Sequence, residues 1–174
     1  MKKENVLVVA LIVIALGGFY LFNRLNSGQP SQAVPVFTEN ASVQTGSAQD
    51  INWKDFTSGM ALARAEQKSV FLYFYAPWCI YCTKLKKTTF KDARVLEYLK
   101  QNFVSIHVDT DKSPSLAQDW QVKGLPTMFF LDPQGEKINR MPGYVDAGQL
   151  LQILKYIHTQ SYTTMEFHEF VKQG

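Results

Sequence analysis

Apolar residues along this chain first form an unbroken block, then thin out, then return at regular periods. Val6 to Phe22 is a run of 17 residues without a charge, preceded by Lys2 and Lys3. Spanning a bilayer takes roughly 17–25 residues, and a signal-peptide core has roughly 7–15. No small-x-small cleavage pattern follows at once: the next residues are Asn23-Arg24-Leu25-Asn26, and Ser31-Gln32-Ala33 lies well downstream. Residues 1–22 are therefore expected to form a transmembrane anchor, with a cleaved signal peptide as the alternative. The absence of a cysteine after the run excludes a lipid-anchored N-terminus. Two lysines before the run against Arg24 after it keep the N-terminus cytoplasmic, so the rest of the chain faces outward, where disulfides persist. Residues 23–49 are rich in Ser, Gln, Gly, Pro and Thr, with no apolar period. They read as a flexible linker of roughly 30 Å typical span.

Periodic patterning begins near Asp50. Trp53, Phe56, Met60 and Ala63 recur at helical spacing and predict an amphipathic helix over 53–67. Val70 to Tyr75 is wholly apolar or aromatic, as in a strand buried on both faces. Ala76-Pro77-Trp78 breaks it, and a helix opens at Cys79. A further helix is expected over 92–102, with Val95, Leu96 and Leu99 inward. From Phe103 to Asp109 the pattern alternates, with Val104, Ile106 and Val108 on one face and Ser105 and His107 on a polar one. A short helix over 115–120 leads to Gly124-Leu125-Pro126. A strand over 127–131, the turn Asp132-Pro133-Gln134-Gly135 and a returning strand over 137–141 follow. Asp146 is placed to cap a helix through His158. The order α-β-α-β-α-β-β-α predicts an α/β domain over 50–160, a central mixed sheet with helices on both faces. Residues 161–174 read as a helical extension, with Thr163-Thr164-Met165-Glu166 as its capping box and Phe167, Phe170 and Val171 packing on the domain.

Composition narrows the function classes. A charged fraction of 19% with 13% aromatics excludes a disordered chain. The net charge of +3 is too small to indicate nucleic acid, and from Asp50 onward 15 basic residues face 13 acidic ones. Two cysteines make neither a disulfide scaffold nor a four-thiolate zinc site.

Those two stand as Trp78-Cys79-Ile80-Tyr81-Cys82. Cysteines three apart on a helix put both sulfurs on one side. At the first turn, Cys79 meets unpaired N–H groups and the positive end of the helix dipole, which favour thiolate and make it the nucleophile. Cys82, deeper and beside Leu85, is expected to keep a higher pKa and to resolve the mixed disulfide. Zinc would need two further ligands, and His107, His158 and His168 have no matching spacing. Covalent haem would need histidine at position 83, which is threonine. A permanent structural disulfide across so short a loop would stabilise little. The residues favour a redox-active pair and call for neither metal nor cofactor.

Tyr75-Ala76-Pro77-Trp78-Cys79-Ile80-Tyr81-Cys82 resembles the active-site segment of the thioredoxin superfamily, and Gly124-Leu125-Pro126-Thr127 resembles its cis-proline loop. Thr89-Phe90-Lys91-Asp92 and Gly143-Tyr144-Val145-Asp146 resemble the C-terminal domain of the DsbD family of bacterial transmembrane thiol reductases. The likeness covers about residues 50–158. It implies a thioredoxin fold and thiol:disulfide exchange with protein disulfides on the periplasmic side of the inner membrane. A membrane thiol-reductant would be the electron donor, and nucleic acid would have no part. Cys79 would attack, Cys82 would resolve, and Pro126 would turn the Leu125 backbone toward an extended substrate segment. Trp78, Ile80 and Tyr81 around the pair, with Leu125, Pro126 and Gly143 in the loops, are the expected substrate contacts. Reduction is the expected direction. The alternatives are a disulfide oxidase or isomerase, and a non-catalytic binding module.

The chain also departs from the family pattern. Where many thioredoxins carry a buried aspartate, six residues before the first cysteine, this chain has Tyr73, and Ser105 lies about where a companion lysine is often found. A phenol of ordinary pKa near 10 is a poor proton acceptor at neutral pH, which leaves water or a nearby acid for that task. Lys84, Lys87 and Lys91 are expected on one helix face, read first as a solvated surface and second as a steering patch for an acidic partner.

Overall fold

Val70, Phe71, Leu72, Tyr73 and Phe74 are all buried, because the strand that carries them is covered on both faces. This strand, β1 (Ser69–Tyr75), lies inside a four-stranded sheet of order β2-β1-β3-β4. Its neighbour β2 (Phe103–Asp109) runs parallel to it, and β3 (Thr127–Leu131) runs antiparallel on the other side. The outer strand β4 (Lys137–Pro142) pairs antiparallel with β3. The computed structural model describes residues 50–173. The expected anchor at 1–22 and linker at 23–49 lie outside the described residues. Among the described residues, no helix is long and apolar enough to cross a membrane.

Alternation along β1 divides the core in two. Phe71 and Tyr73 point into one cluster, under α2 (Ile80–Lys87), α3 (Ala93–Asn102) and α5 (Ala147–His158). Val70, Leu72 and Phe74 point into the other, under α1 (Phe56–Glu66) and α4 (Pro114–Asp119). The first cluster also contains Cys79 and Cys82.

Local chemistry sets the helix ends. Asp55, Asp92 and Asp146 cap α1, α3 and α5, each accepting a first-turn N–H at 2.9 Å, from Ser58, Arg94 and Gln149 respectively. Such caps contribute about 1 kcal/mol each. The Asp132 carboxylate collects the N–H groups of Gln134, Gly135 and Glu136, and Gly135 supplies the positive φ of 99° that the β3–β4 turn requires.

Three expectations need correction. The first helix starts at Phe56, because Asp55 caps it; Trp53 precedes it, and Lys54 instead forms a parallel bridge beside Ile106 of β2. There the Lys54 N–H donates to the Ser105 carbonyl and the His107 N–H to the Lys54 carbonyl. The face of β2 bearing Ser105 and His107 is consequently not a solvent face: Ser105 is buried and the His107 ring stacks on Trp53 at 5.3 Å. Third, the C-terminal helix α6 (Phe167–Gln173) begins later than its expected box, and Glu169 makes the return bond to the Glu166 N–H. Thr163 lies in a preceding 3-10 turn, Ser161–Thr163. As expected, α6 packs on the domain, with Phe167 and Phe170 each 5.3 Å from the Tyr156 ring.

Candidate functional site

Sheet register brings the chemistry to one end of the molecule. Phe74, near the end of β1, pairs with Thr127 at the start of β3, and Thr127 pairs with Pro142 at the end of β4. The loop leading to Cys79, the Gly124–Pro126 loop and Gly143 therefore emerge together. Asp109, last residue of β2, pairs with Tyr75 at the same end.

Cys79 is the N-cap of α2, and its Sγ accepts the Cys82 N–H at 3.1 Å. A first-turn amide is thus aimed at the sulfur, as the helix-end reading required. Cys79 and Cys82 are joined as a disulfide with Cα atoms 5.2 Å apart. Both are buried, Cys82 the more deeply. Around them the surface is apolar. Trp78, Ile80 and Tyr81 are 69%, 81% and 60% exposed, and they are the exposed large hydrophobic side chains among the described residues. Three apolar side chains within about one turn, left in water at a reactive pair, form a contact surface rather than a core defect.

The second loop closes the site from the β3 side. The Leu125–Pro126 peptide bond is cis, Pro126 is buried and Leu125 is half-buried. The Gly143 N–H donates to the Pro126 carbonyl at 2.7 Å, and Gly143 has a φ of 89° that favours glycine. All six expected contact positions thus border the disulfide's end of the sheet.

Several contacts at this end carried no sequence signal, although Trp78 and the Thr89 and Tyr144 segments themselves did. The Trp78 indole N–H donates to both carboxylate oxygens of Asp111, at 3.2 and 3.1 Å, across 33 residues of chain. Thr89 Oγ1 donates to the Val145 carbonyl at 2.6 Å, which ties the segment after α2 to the one before α5. Tyr144 shares a hydrogen bond with Thr88; that bond, one to Thr89 and the charge of Lys84 lower its phenol pKa.

Beneath α2, Tyr73 is fully buried and its hydroxyl has no hydrogen-bond partner among the described residues. Burial pushes its pKa upward, with the neighbouring Tyr75 adding to the effect, so it stays protonated at neutral pH. Its partner in register is His107, not Ser105, which pairs with Phe71. Burial first, and Lys86 second, lower the His107 pKa, so this imidazole is neutral at pH 7. A buried hydroxyl without a partner costs about 1–3 kcal/mol. Tyr73→Phe should accordingly raise stability by about 1 kcal/mol, read as a higher denaturant midpoint; a lower midpoint would mean that the hydroxyl is satisfied. Among the described residues no group of three or more His, Cys, Asp or Glu side chains is gathered to hold a metal ion.

The sequence profile of the thioredoxin-like domain family matches residues 56–158. The chain is 32% identical over 152 residues to the thiol:disulfide interchange protein DsbD of Vibrio vulnificus, an alignment covering 82% of this chain and 26% of that protein. It thus spans about a quarter of the length of that curated relative. A thioredoxin from Thermus thermophilus superposes with a TM-score of 0.57 at 27% identity, over 62% of this chain and 87% of that one. A thioredoxin-fold protein from Helicobacter pylori gives 0.54 at 25% identity, over 62% and 80%. With the strand order, the cysteine pair at the start of α2 and the cis-proline loop all in agreement, the chain belongs to the thioredoxin-like domain family.

Proposed function

We propose that this chain is an extracytoplasmic thiol:disulfide oxidoreductase that reduces disulfides in protein substrates. The observation that carries the reading is the Cys79–Cys82 disulfide itself, with Cys79 capping α2 and its sulfur accepting a backbone N–H. The same end of the sheet presents an exposed apolar collar and the Pro126 loop.

In the dithiol form, the Cys79 thiolate attacks one sulfur of a substrate disulfide. That bond breaks, a mixed disulfide forms, and the leaving sulfur takes up a proton. Cys82 then loses its proton and attacks the Cys79 sulfur, which releases the second substrate thiol and closes Cys79–Cys82. Two electrons pass to the substrate. A dithiol donor at the membrane restores the pair. Trp78, Ile80 and Tyr81 cover apolar substrate surface during the exchange, while Leu125, Pro126 and Gly143 line the opposite side. Tyr73, held protonated, accepts no proton from Cys82.

Support for disulfide exchange comes from the likeness to DsbD, a thiol:disulfide interchange protein. Reduction is the direction that the resemblance to transmembrane thiol reductases implies, and the uncharged run Val6–Phe22 behind Lys2 and Lys3 supports a membrane-held domain. Equilibration of the full chain with glutathione buffers tests the direction. A potential near the roughly −270 mV of thioredoxin supports a reductase, and one near the roughly −120 mV of DsbA makes the chain an oxidase. In the same preparation, release of the protein from membranes by alkaline washing would count against the anchor.

A further inference from the structure

The solvent face of α2 carries charge as well as apolar surface. At about 100° per residue, Ile80, Lys84 and Lys87 fall together, opposite the buried Cys82 and Leu85. Lys91, expected on the same face, is not on it: α2 ends at Lys87, and Lys91 lies in the 3-10 turn Thr89–Lys91, paired with Asp50 at 2.6 Å.

The lysines left on α2 are held in place without being neutralised. Lys84 Nζ stands 4.2 Å above the Tyr144 ring, in the loop that follows Gly143, and Lys86 Nζ stands 4.2 Å above the Tyr75 ring. Ring faces attract an ammonium but leave its full charge for a partner. Among the described residues the ion pairs are Lys68–Glu66, Lys91–Asp50 and Arg94–Asp92, and none involves Lys84, Lys86 or Lys87. The acids on the neighbouring elements, Asp146 capping α5, Asp111 on the Trp78 indole and Asp109 at the end of β2, keep their charge but form no ion pair with these lysines. Lysines near a helix C-terminus are favourable for the dipole alone. That effect does not require two of them to continue the exposed face that begins with Ile80, next to the reactive cysteine.

We propose that this face selects disulfide partners that carry acidic side chains roughly 10 Å from the reacting sulfur, the rise from the start of α2 to Lys87. The inference rests on the thiol-exchange reading above and adds the charge of the substrate. Acidic groups there would meet Lys84 and Lys87 while the apolar collar covers the cystine. A cluster of unpaired like charges beside a site can raise encounter rates with oppositely charged partners by about tenfold or more, and salt removes the advantage because screening acts over roughly 10 Å at about 0.1 M.

Two synthetic cystine peptides of identical sequence, except for a pair of glutamates or a pair of lysines on one side of the cystine, test this with the full chain under a dithiol reductant. At low salt the glutamate peptide should be reduced about tenfold faster. At high salt the two rates should converge. The double variant Lys84→Glu/Lys87→Glu should reverse the order, and Lys84→Gln/Lys87→Gln should bring the rates together. Equal rates in the unaltered chain at low salt, or a preference unchanged in both variants, overturns the selection. Failure to reduce either peptide overturns the exchange reading, and the selection with it. Reduction without discrimination overturns the selection alone.

Discussion

Cys79→Ser should abolish disulfide exchange, while Cys82→Ser should accumulate a mixed disulfide with its partners. The difference follows from position. Cys79 caps α2, its sulfur faces a first-turn N–H, and the positive end of the helix dipole lies behind that amide. Both favour the thiolate, which is the attacking species, whereas a serine hydroxyl is a far weaker nucleophile toward sulfur. Cys82 is buried one turn further in, so removing it leaves attack intact and removes only the release step. The trapped species can be captured by acid quenching and alkylation, resolved on a non-reducing gel and identified by mass spectrometry. Trapping by Cys79→Ser, with faster alkylation of Cys82 at pH 6–7 in the reduced protein, would reverse the two roles. The experiment also names substrates, and the acidity of the captured segments bears directly on the lysine face of α2.

The sequence made the centre of the fold legible and blurred its borders. Val70 to Tyr75 reads as a doubly covered strand because every position is apolar or aromatic, and Val70 to Phe74 are buried, with Tyr75 at the strand end half-buried. Cys79 and Cys82 are legible because three-residue spacing on a helix has one geometric consequence. Trp53 misleads for a physical reason. Its spacing to Phe56 and Met60 fits a helix, but Asp55 ends the helical register with a cap, and a tryptophan pays better as a lid on the sheet. That ring stacks on His107 while the Lys54 backbone pairs beside Ser105, so an alternation that reads as half-solvated becomes a covered face, with Ser105 buried and His107 half-buried. Register across β1 and β2 decides which residue meets Tyr73, and a one-sequence pattern carries no register. The Asp111–Trp78 contact is of the same kind: nothing local links residues 33 apart. Hydroxyls such as Thr89 declare themselves only once two loops are brought together.

Phe90→Ala should cost about 3–5 kcal/mol of stability, a large share of what a domain of this size has. Phe90 is 4% exposed, in the short turn after α2, and three aromatic rings surround it. It meets Phe71 and Tyr73 edge-on, at 5.9 and 5.2 Å with planes at 90°, and lies 5.5 Å from Trp53. Edge-to-face pairs contribute about 0.5–1.5 kcal/mol beyond the area they bury, so truncation removes both packing and pair energy. The gap cannot close easily, because β1 fixes Phe71 and Tyr73 while the Thr89–Val145 hydrogen bond holds the turn in place. A whole domain is stable by only about 5–15 kcal/mol, so the variant should unfold at a much lower denaturant concentration with its m-value unchanged. Trp53 stands against the site of the change, and its fluorescence can follow the transition. Phe90→Leu, which keeps most of the volume and loses the ring contacts, should cost less. A loss below about 1 kcal/mol for Phe90→Ala would mean that α2 and its following turn are held on the sheet by other contacts, with Leu85 the first to examine.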